Sequence, residues 1–573
     1  MAEGGTVAAQ APQDRPWLRA YAPGVPADVD VPEQSLVDLL AVAVSRFGDR
    51  PALDFFGVTT SYASLAAQVE RAASLLASLG VAAGDRVALV LPNCPQHVVA
   101  FYAALRLGAV VVEHNPLSTV TELRRMVADH EATVAVVWDV AAPRVAEAAP
   151  GLRHLLAVDL SRELPAAKRL ALRLPVPAAR RRRTTITSDA WRGLPHARSW
   201  DAAVKAAPPL PSGIARPGPH DVALLQYTGG TTGTPKGAVL THRNLLANVL
   251  QGRAWVPGMR EGAENVYAVL PLFHAYGLTL CLTFAVSMGA TLVLFPTFDV
   301  DAVLARVRCR PPTFFPGVPP IYERLALAAR DRGVDLSSCK VAISGAMPLP
   351  ERIVELWESV TGGLLVEGYG MTESSPVALG NPISPARRPG AVGLPFPSTD
   401  VRVVDPEEPT RDVAPGERGE LLIRGPQVFS GYWRRHEETA AALLPGGWLR
   451  TGDVVVMDAD GFVTVVDRIK ELIITGGFNV YPSEVEDALR ALPGVRDAAV
   501  IGLPSDSGGE EVVAAVVAEG SDAPEEAALR AALRTTLAAY KVPRRVVVVE
   551  ELPRSQIGKV LRRQVREDLA AQR

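Results

Sequence analysis

The chain has 573 residues, 48% hydrophobic and 21% charged, which excludes a globally disordered protein and leaves material for several domain-sized cores. Lys and Arg (59) nearly balance Asp and Glu (62), so the broad basic excess of a nucleic-acid binder is absent. Four cysteines, Cys94, Cys281, Cys309 and Cys339, stand far apart without CxxC spacing, which argues for a reducing compartment and against a zinc ribbon or disulfide scaffold.

The opening stretch MAEGGTVAAQAPQDRPW has no basic segment leading into an apolar one, so no signal peptide is expected, and residues 1–34 read as an extension. Apolar spacing predicts a helix over 60–80 that stops at Gly80. A buried strand at 86–91, a helix at 97–106 and strands at 110–112 and 133–137 follow. This alternation is an α/β pattern with mostly buried sheets. Residues 168–183, KRLALRLPVPAARRRR, combine basic and apolar side chains. They suit either an anionic membrane surface or a solvated, proline-interrupted excursion, and the interruptions favour the second. Residues 276–295 are uncharged and mostly apolar, yet Gly289 divides them. The expected reading is a buried helix to about Ser287, a turn at 288–290 and a buried strand, rather than a membrane span. Residues 399–404 and 419–424 read as antiparallel strands. Near 467–470 the pattern changes to a helix at 483–492, a strand pair, a helix at 523–539, a further strand at VVVV and a basic tail helix. The expected division is 35–469 for a large domain, with α/β subdomains and a β-rich subdomain, and 470–573 for a small α+β domain.

Only seven of the basic residues are lysine, so the retained lysines are enriched for positions where a compact ammonium suits better than a guanidinium. The strongest motif is YTGGTTGTPKG, Tyr227 to Gly237. Its glycines let backbone N–H groups approach phosphate oxygens, its threonines add donors, and Lys236 adds charge. It is not a Walker A loop, because Lys236 precedes a glycine rather than Ser or Thr. GYGMTE (368–373) sets an aromatic between glycines, able to stack on a flat base. Its Thr372 can hold an oxygen, and its Glu373 can hold a hard cation beside phosphates. GWLRTGD (447–453) and DRIKELIITGGFNVYPSEVE (467–486) offer an Asp able to take both ribose hydroxyls. LPRSQIGKVLRR (552–563) keeps Lys559 in an arginine-rich tail.

These five motifs, in this order, resemble the adenylate-forming superfamily over roughly residues 35–570. Within it, GGWLRTGDVVVMDADGFVTVVDRIK, GGFNVYPSEVE and LPFPSTDVRVVD are similar to bacterial long-chain fatty acid–CoA ligases. The resemblance implies that a carboxylate attacks the α-phosphate of ATP, pyrophosphate leaves, and the thiol of CoA then displaces AMP. It implies that Thr228, Gly229, Gly230, Thr231, Thr232, Gly233 and Lys236 hold the β- and γ-phosphates. Tyr369 would pack against adenine, with Gly370 beside it. Thr372 would contact the α-phosphate region and Glu373 would hold Mg²⁺. Asp453 and Arg468 would hold the ribose, and Lys559 would bridge the substrate carboxylate and the α-phosphate. A small mobile domain is implied to rotate about a hinge at Lys470, withdrawing Lys559 and presenting Gly477 to the pantetheine channel. LPLFHAYGL (270–278) makes His274 the candidate facing the acyl group, and SGAMPLP (344–350) makes Gly345 and Ala346 candidates lining the site.

ATP, Mg²⁺, CoA and a medium- to long-chain fatty acid are thus the expected small molecules. An aryl-acid ligase and transfer to a separate carrier protein remain alternatives. Cytoplasmic location is expected, with the inner membrane face as the site of any contact through 168–183, and a homodimer is left open.

Overall fold

The computed structural model describes residues 15–208, 210–228, 235–475, 478–504, 510–520, 524–555 and 558–571. The fold is mixed α/β, with a large N-terminal part and a small C-terminal part. Among the described residues, a seven-stranded sheet runs in the order 197–199, 154–158, 134–138, 86–90, 110–113, 222–228, 236–241. All neighbours in it are parallel except the last pair, where Val222–Thr228 turns back into Lys236–Thr241. A nine-stranded sheet is parallel through 51–55, 291–294, 265–268, 314–317, 341–344 and 364–370, with antiparallel strands at both edges.

Alternation along the strands explains the layering. Val87, Leu89 and Val111 face a core shared with the nine-stranded sheet, while Ala88, Val90, Ala135 and Val137 face the opposite side. Helix Pro95–Arg106 is buried from Pro95 to Leu105, as befits an element covered on every side. The apolar stretch at 276–295 behaves as expected. Helical turns run from Ala275 to Met288, Gly289 closes them at φ +60°, and Thr291–Leu294 is a buried strand. No helix among the described residues is long and apolar enough to cross a membrane.

Strands 400–404, 418–424, 448–457 and 463–468 form an antiparallel unit together with 443–444. After it, strands 495–504, 510–518 and 545–549 carry a core on each face. Val500, Val512 and Ala514 pack with helices 482–490 and 526–533, and Ile501, Val513 and Ala515 pack with the tail helix Arg562–Ala570.

Two expectations change. The helix expected over 523–539 spans only Glu526–Leu533, and turns occupy the following residues. The segment read as an extension is, from Arg15 onward, part of the large core. Trp17 is 2% exposed, the Tyr21 hydroxyl donates to the Pro395 carbonyl (2.6 Å), and Arg15 pairs with Asp400 (2.9 Å).

Candidate active site

The glycine–threonine motif sits on the reversing hairpin of the seven-stranded sheet. Thr228 is paired directly with Lys236, and Tyr227 with Gly237. Gly229, Gly230, Thr231, Thr232 and Gly233 lie outside the described residues. Lys236 begins strand Lys236–Thr241, with its ammonium 5.3 Å from the centre of the Tyr432 ring.

Strand Leu364–Gly370 carries the GYGMTE segment and turns at Gly370 against strand Val377–Gly380. Only glycine fits there, because a Cβ would lie 1.9 Å from the Pro376 carbonyl oxygen. The chain then enters the short turn Thr372–Ser374. Glu373 is 6% exposed, burial raises its carboxyl above the ordinary range, and the Tyr432 hydroxyl donates to Oε1 (2.6 Å).

The Tyr369 hydroxyl donates to Asp453 Oδ2 (2.5 Å), and Arg468 Nε donates to Oδ1 (3.0 Å). Asp453 and Arg468 are cross-strand partners on Trp448–Met457 and Val463–Arg468. The expected base-stacking tyrosine and the expected ribose pair therefore form one connected unit. Asp467, one residue before Arg468, accepts from the Ser483 N–H (2.8 Å) and so ties the strand to helix Pro482–Arg490. Lys470, between them in sequence, is exposed in the turn Ile469–Glu471.

Lys559 arrives from the far end of the chain. Gly558, at φ +82°, lies so close to the large part that a Cβ would stand 3.5 Å from Met347 Cε and 3.8 Å from Pro320 Cγ. Arg562 fixes the start of the tail helix by donating to both oxygens of Glu486 (2.8 and 2.7 Å) and to Glu471. Burial pushes the Lys559 ammonium down to about 8. The positive charge of Arg468 acts in the same direction, and Glu471 and Asp453 oppose it. The bridging role that the resemblance implies for Lys559, between a carboxylate and a phosphate, requires its ammonium form. The rate of acyl-adenylate formation should then fall as pH rises through about 8, and Lys559→Arg should remove that fall. A rate measured under single turnover that stays level to pH 10 in the wild type would sink this assignment.

On the other wall, His274 Nδ1 accepts from the Tyr276 N–H (3.2 Å), which leaves the ring proton on Nε2. Burial pushes this imidazole down to about 4, so at neutral pH it offers a hydrogen bond and no charge. The Tyr276 hydroxyl donates to the carbonyls of Ile343 (2.7 Å) and Gly317 (3.2 Å). Its ring lies 3.1 Å from where a Cβ on Gly345 would stand. Ala346 follows at φ +68°, an uncommon conformation for a residue with a side chain. Gly477 lies outside the described residues.

Sequence reasoning missed Tyr432 and Glu367. Glu367 lies on the strand that carries Tyr369, paired with Ser344, and burial pushes its carboxyl up to about 8. Neither residue has a local pattern that sets it apart.

The description "AMP-binding enzyme" fits residues 40–433, and "AMP-binding enzyme C-terminal domain" fits 484–559. The chain belongs to the AMP-binding enzyme family. A long-chain-fatty-acid–CoA ligase of Bacillus subtilis (strain 168) is 38% identical over 557 residues, covering 97% of this chain and 98% of the relative. A feruloyl-CoA synthase of an Amycolatopsis species is also 38% identical, covering 89% and 94%. Among solved structures, ATP-bound MatB from Rhodopseudomonas palustris superposes with a TM-score of 0.79 at 31% identity, covering 93% of this chain and 99% of that one. The apo form of the same protein gives 0.69 at the same identity and coverage. The arrangement of this AMP-binding enzyme is thus nearer to the nucleotide-bound form.

Mg²⁺ is the usual companion of ATP in such chemistry. Among the described residues, no group of three or more His, Cys, Asp or Glu could hold a metal unaided. A single buried carboxylate at Glu373 fits a cation whose remaining ligands are phosphate oxygens and water.

Proposed function

We propose that this AMP-binding enzyme converts a medium- to long-chain fatty acid to its CoA thioester, with ATP cleaved to AMP and pyrophosphate. The observation that carries the reading is the meeting of Lys559 with the Tyr369–Asp453–Arg468 unit. It brings a lysine from near the end of the chain into the electrostatic field of Asp453 and Arg468, beside a tyrosine bonded to the same carboxylate. In the first half-reaction the Asp453 carboxylate accepts from the ribose hydroxyls. Tyr369 packs on the adenine, and Thr372 and the hairpin loop donate to phosphate oxygens. Lys236 balances the β- and γ-phosphates, and Lys559 holds the fatty carboxylate against the α-phosphorus. The carboxylate oxygen forms the new P–O bond as the bond to pyrophosphate breaks. Mg²⁺, held through Glu373, would neutralise charge on the phosphates. Most of this acceleration comes from positioning and electrostatics, because little covalent work falls to the protein.

In the second half-reaction the residues from 470 onward rotate about Lys470. Lys559 leaves the site, and Gly477 comes to the pantetheine path. The thiol of CoA gives its proton to solvent, its sulfur forms the C–S bond to the acyl carbonyl carbon, and the acyl C–O bond breaks so that AMP departs with that oxygen. His274, neutral with its proton on Nε2, is suited to hold the acyl carbonyl oxygen. The fatty-acid class rests on the relatives and on the apolar segment after His274. An aryl acid is the second reading, favoured by the Amycolatopsis relative and by the Tyr276 ring beside Gly345. Purified protein supplied with ATP, Mg²⁺, CoA and a panel of straight-chain and aryl acids decides between them by mass spectrometry. Acyl-CoA from C12–C18 acids with equimolar AMP is the expected result. Turnover of aryl acids alone would replace the fatty-acid reading, and acyl-AMP that accumulates beside unused CoA would point to a carrier protein.

Peripheral contact with an anionic bilayer is supported by the two helices Ala166–Leu172 and Pro177–Ile186. Leu170, Leu174 and Val176 are 67%, 51% and 45% exposed, beside exposed Arg169, Arg173 and Arg180 to Arg183. Apolar side chains that insert, together with arginines at the headgroups, suit such a surface. Replacing Arg180 to Arg183 with Gln is expected to reduce flotation with phosphatidylglycerol vesicles and to leave turnover of a soluble short-chain acid unchanged. Equal flotation of both proteins would exclude the contact.

A further inference from the structure

Lys236 and Glu373 come from different elements, and one residue that no motif singled out touches both. Tyr432 lies in a segment stitched to strand Lys236–Thr241. Val239 N–H donates to the Gly431 carbonyl (2.9 Å), Ser430 N–H to the Val239 carbonyl (3.0 Å) and Trp433 N–H to the Gly237 carbonyl (2.8 Å). The same segment holds the Glu373 backbone, through Phe429 N–H to the Glu373 carbonyl (2.8 Å). The Tyr432 side chain repeats this double attachment. Its hydroxyl donates to Glu373 Oε1 (2.6 Å), and its ring carries the Lys236 ammonium at 5.3 Å, within cation–π range. The ring itself is held by Phe429, edge-on at 4.9 Å, and the Tyr432 N–H donates to Thr439 Oγ1 (2.9 Å).

We infer that Tyr432 is a positioning residue: its hydroxyl sets the Glu373 carboxylate and its ring sets the Lys236 ammonium, so both are held ready at a fixed separation for one triphosphate. Among the described residues, the Tyr432 hydroxyl is the side-chain partner of the Glu373 carboxylate, and the Lys236 ammonium has no side-chain hydrogen bond or ion pair. The arrangement also divides the labour within one side chain. The hydroxyl serves the carboxylate, where a metal would bind, and the ring serves the lysine, which needs none. The inference rests on the reading of Glu373 and Lys236 as the metal-side and phosphate-side groups.

The division is measurable without turnover. Calorimetric titration of the whole protein with ATP, once with Mg²⁺ and once with EDTA, reads the two roles separately. Tyr432→Phe keeps the ring and is expected to weaken binding of MgATP roughly tenfold, with metal-free ATP within about twofold of wild type. Tyr432→Leu removes both supports and is expected to weaken both titrations. Thioester formation from supplied acyl-AMP should stay within about twofold in either variant, because the triphosphate has already left by that step; a general packing defect would lower it too. Wild-type MgATP binding in Tyr432→Phe, while Glu373→Gln loses it, would overturn the strut alone. Wild-type MgATP binding in Glu373→Gln would instead remove the underlying reading of Glu373. If Tyr432→Leu fails to fold, the Phe variant still decides.

Discussion

Lys559→Ala is expected to lower acyl-adenylate formation by about 10²–10³-fold, the loss seen when one preorganised donor is removed from developing charge. The supplied acyl-AMP should still be converted to acyl-CoA at a rate near wild type. The reason is the way Lys559 reaches the site. It stands on a loop anchored by Arg562 to Glu486 and Glu471, and Gly558 lets that loop lie against Met347. Rotation about Lys470 would carry the whole anchored loop away, so the second half-reaction would proceed without it. Pyrophosphate release and thioester formation, measured separately in a quenched-flow instrument, check the split. Equal loss in both would mean that Lys559 supports the fold or serves both steps.

The second large effect is expected at Asp453. It is 4% exposed and accepts from both Tyr369 and Arg468. Asp453→Ala removes the acceptor of a phenol and of a guanidinium together, and with it the group proposed to hold the ribose. Losing two hydrogen bonds from ribose hydroxyls to a carboxylate, at about 1.5–3 kcal/mol each, suggests a rise in KM for ATP of roughly 10²-fold or more. KM for the fatty acid should change little, because none of the three side chains belongs to the expected acyl wall. Asp453→Asn, which still offers one acceptor, should fall between the two. Steady-state kinetics with each substrate varied in turn reads this difference, and parallel rises in both KM values would assign Asp453 to general packing.

Much of the site was legible because the chemistry is written in short local runs. A glycine–threonine run needs its glycines in sequence, and the two described ends of that run, Thr228 and Lys236, are paired on neighbouring strands. Asp453 and Arg468 were read from separate motifs, and cross-strand register joins them. The α/β alternation was legible for a similar reason, since strands 86–90, 110–113 and 134–138 are short apolar runs between helices.

What stayed hidden depends on contacts distant in sequence. Trp17 is buried against Gly461, where a Cβ would stand 2.7 Å from the Trp17 Cβ, and nothing near residue 17 announces that partner. Tyr276 looked like part of an acyl-facing run, yet its hydroxyl is engaged by two backbone carbonyls from other strands. Tyr432 belongs to no chemical pattern, and its contacts with Lys236 and Glu373 arise only when three segments meet. The helix expected to 539 is shorter because alanine-rich sequence has high propensity, whereas here the helix gives way to turns after Leu533 although Leu537 still packs on the core.

The central claim is that the carboxylate itself attacks the α-phosphorus before the thiol acts. Isotope transfer tests it most directly. A fatty acid carrying ¹⁸O in both carboxylate oxygens, turned over with ATP, Mg²⁺ and CoA, should deliver one ¹⁸O to AMP and none to pyrophosphate. AMP without label, or label in released phosphate, would contradict the account by showing that the acid is activated at another phosphorus or that no acyl-adenylate forms.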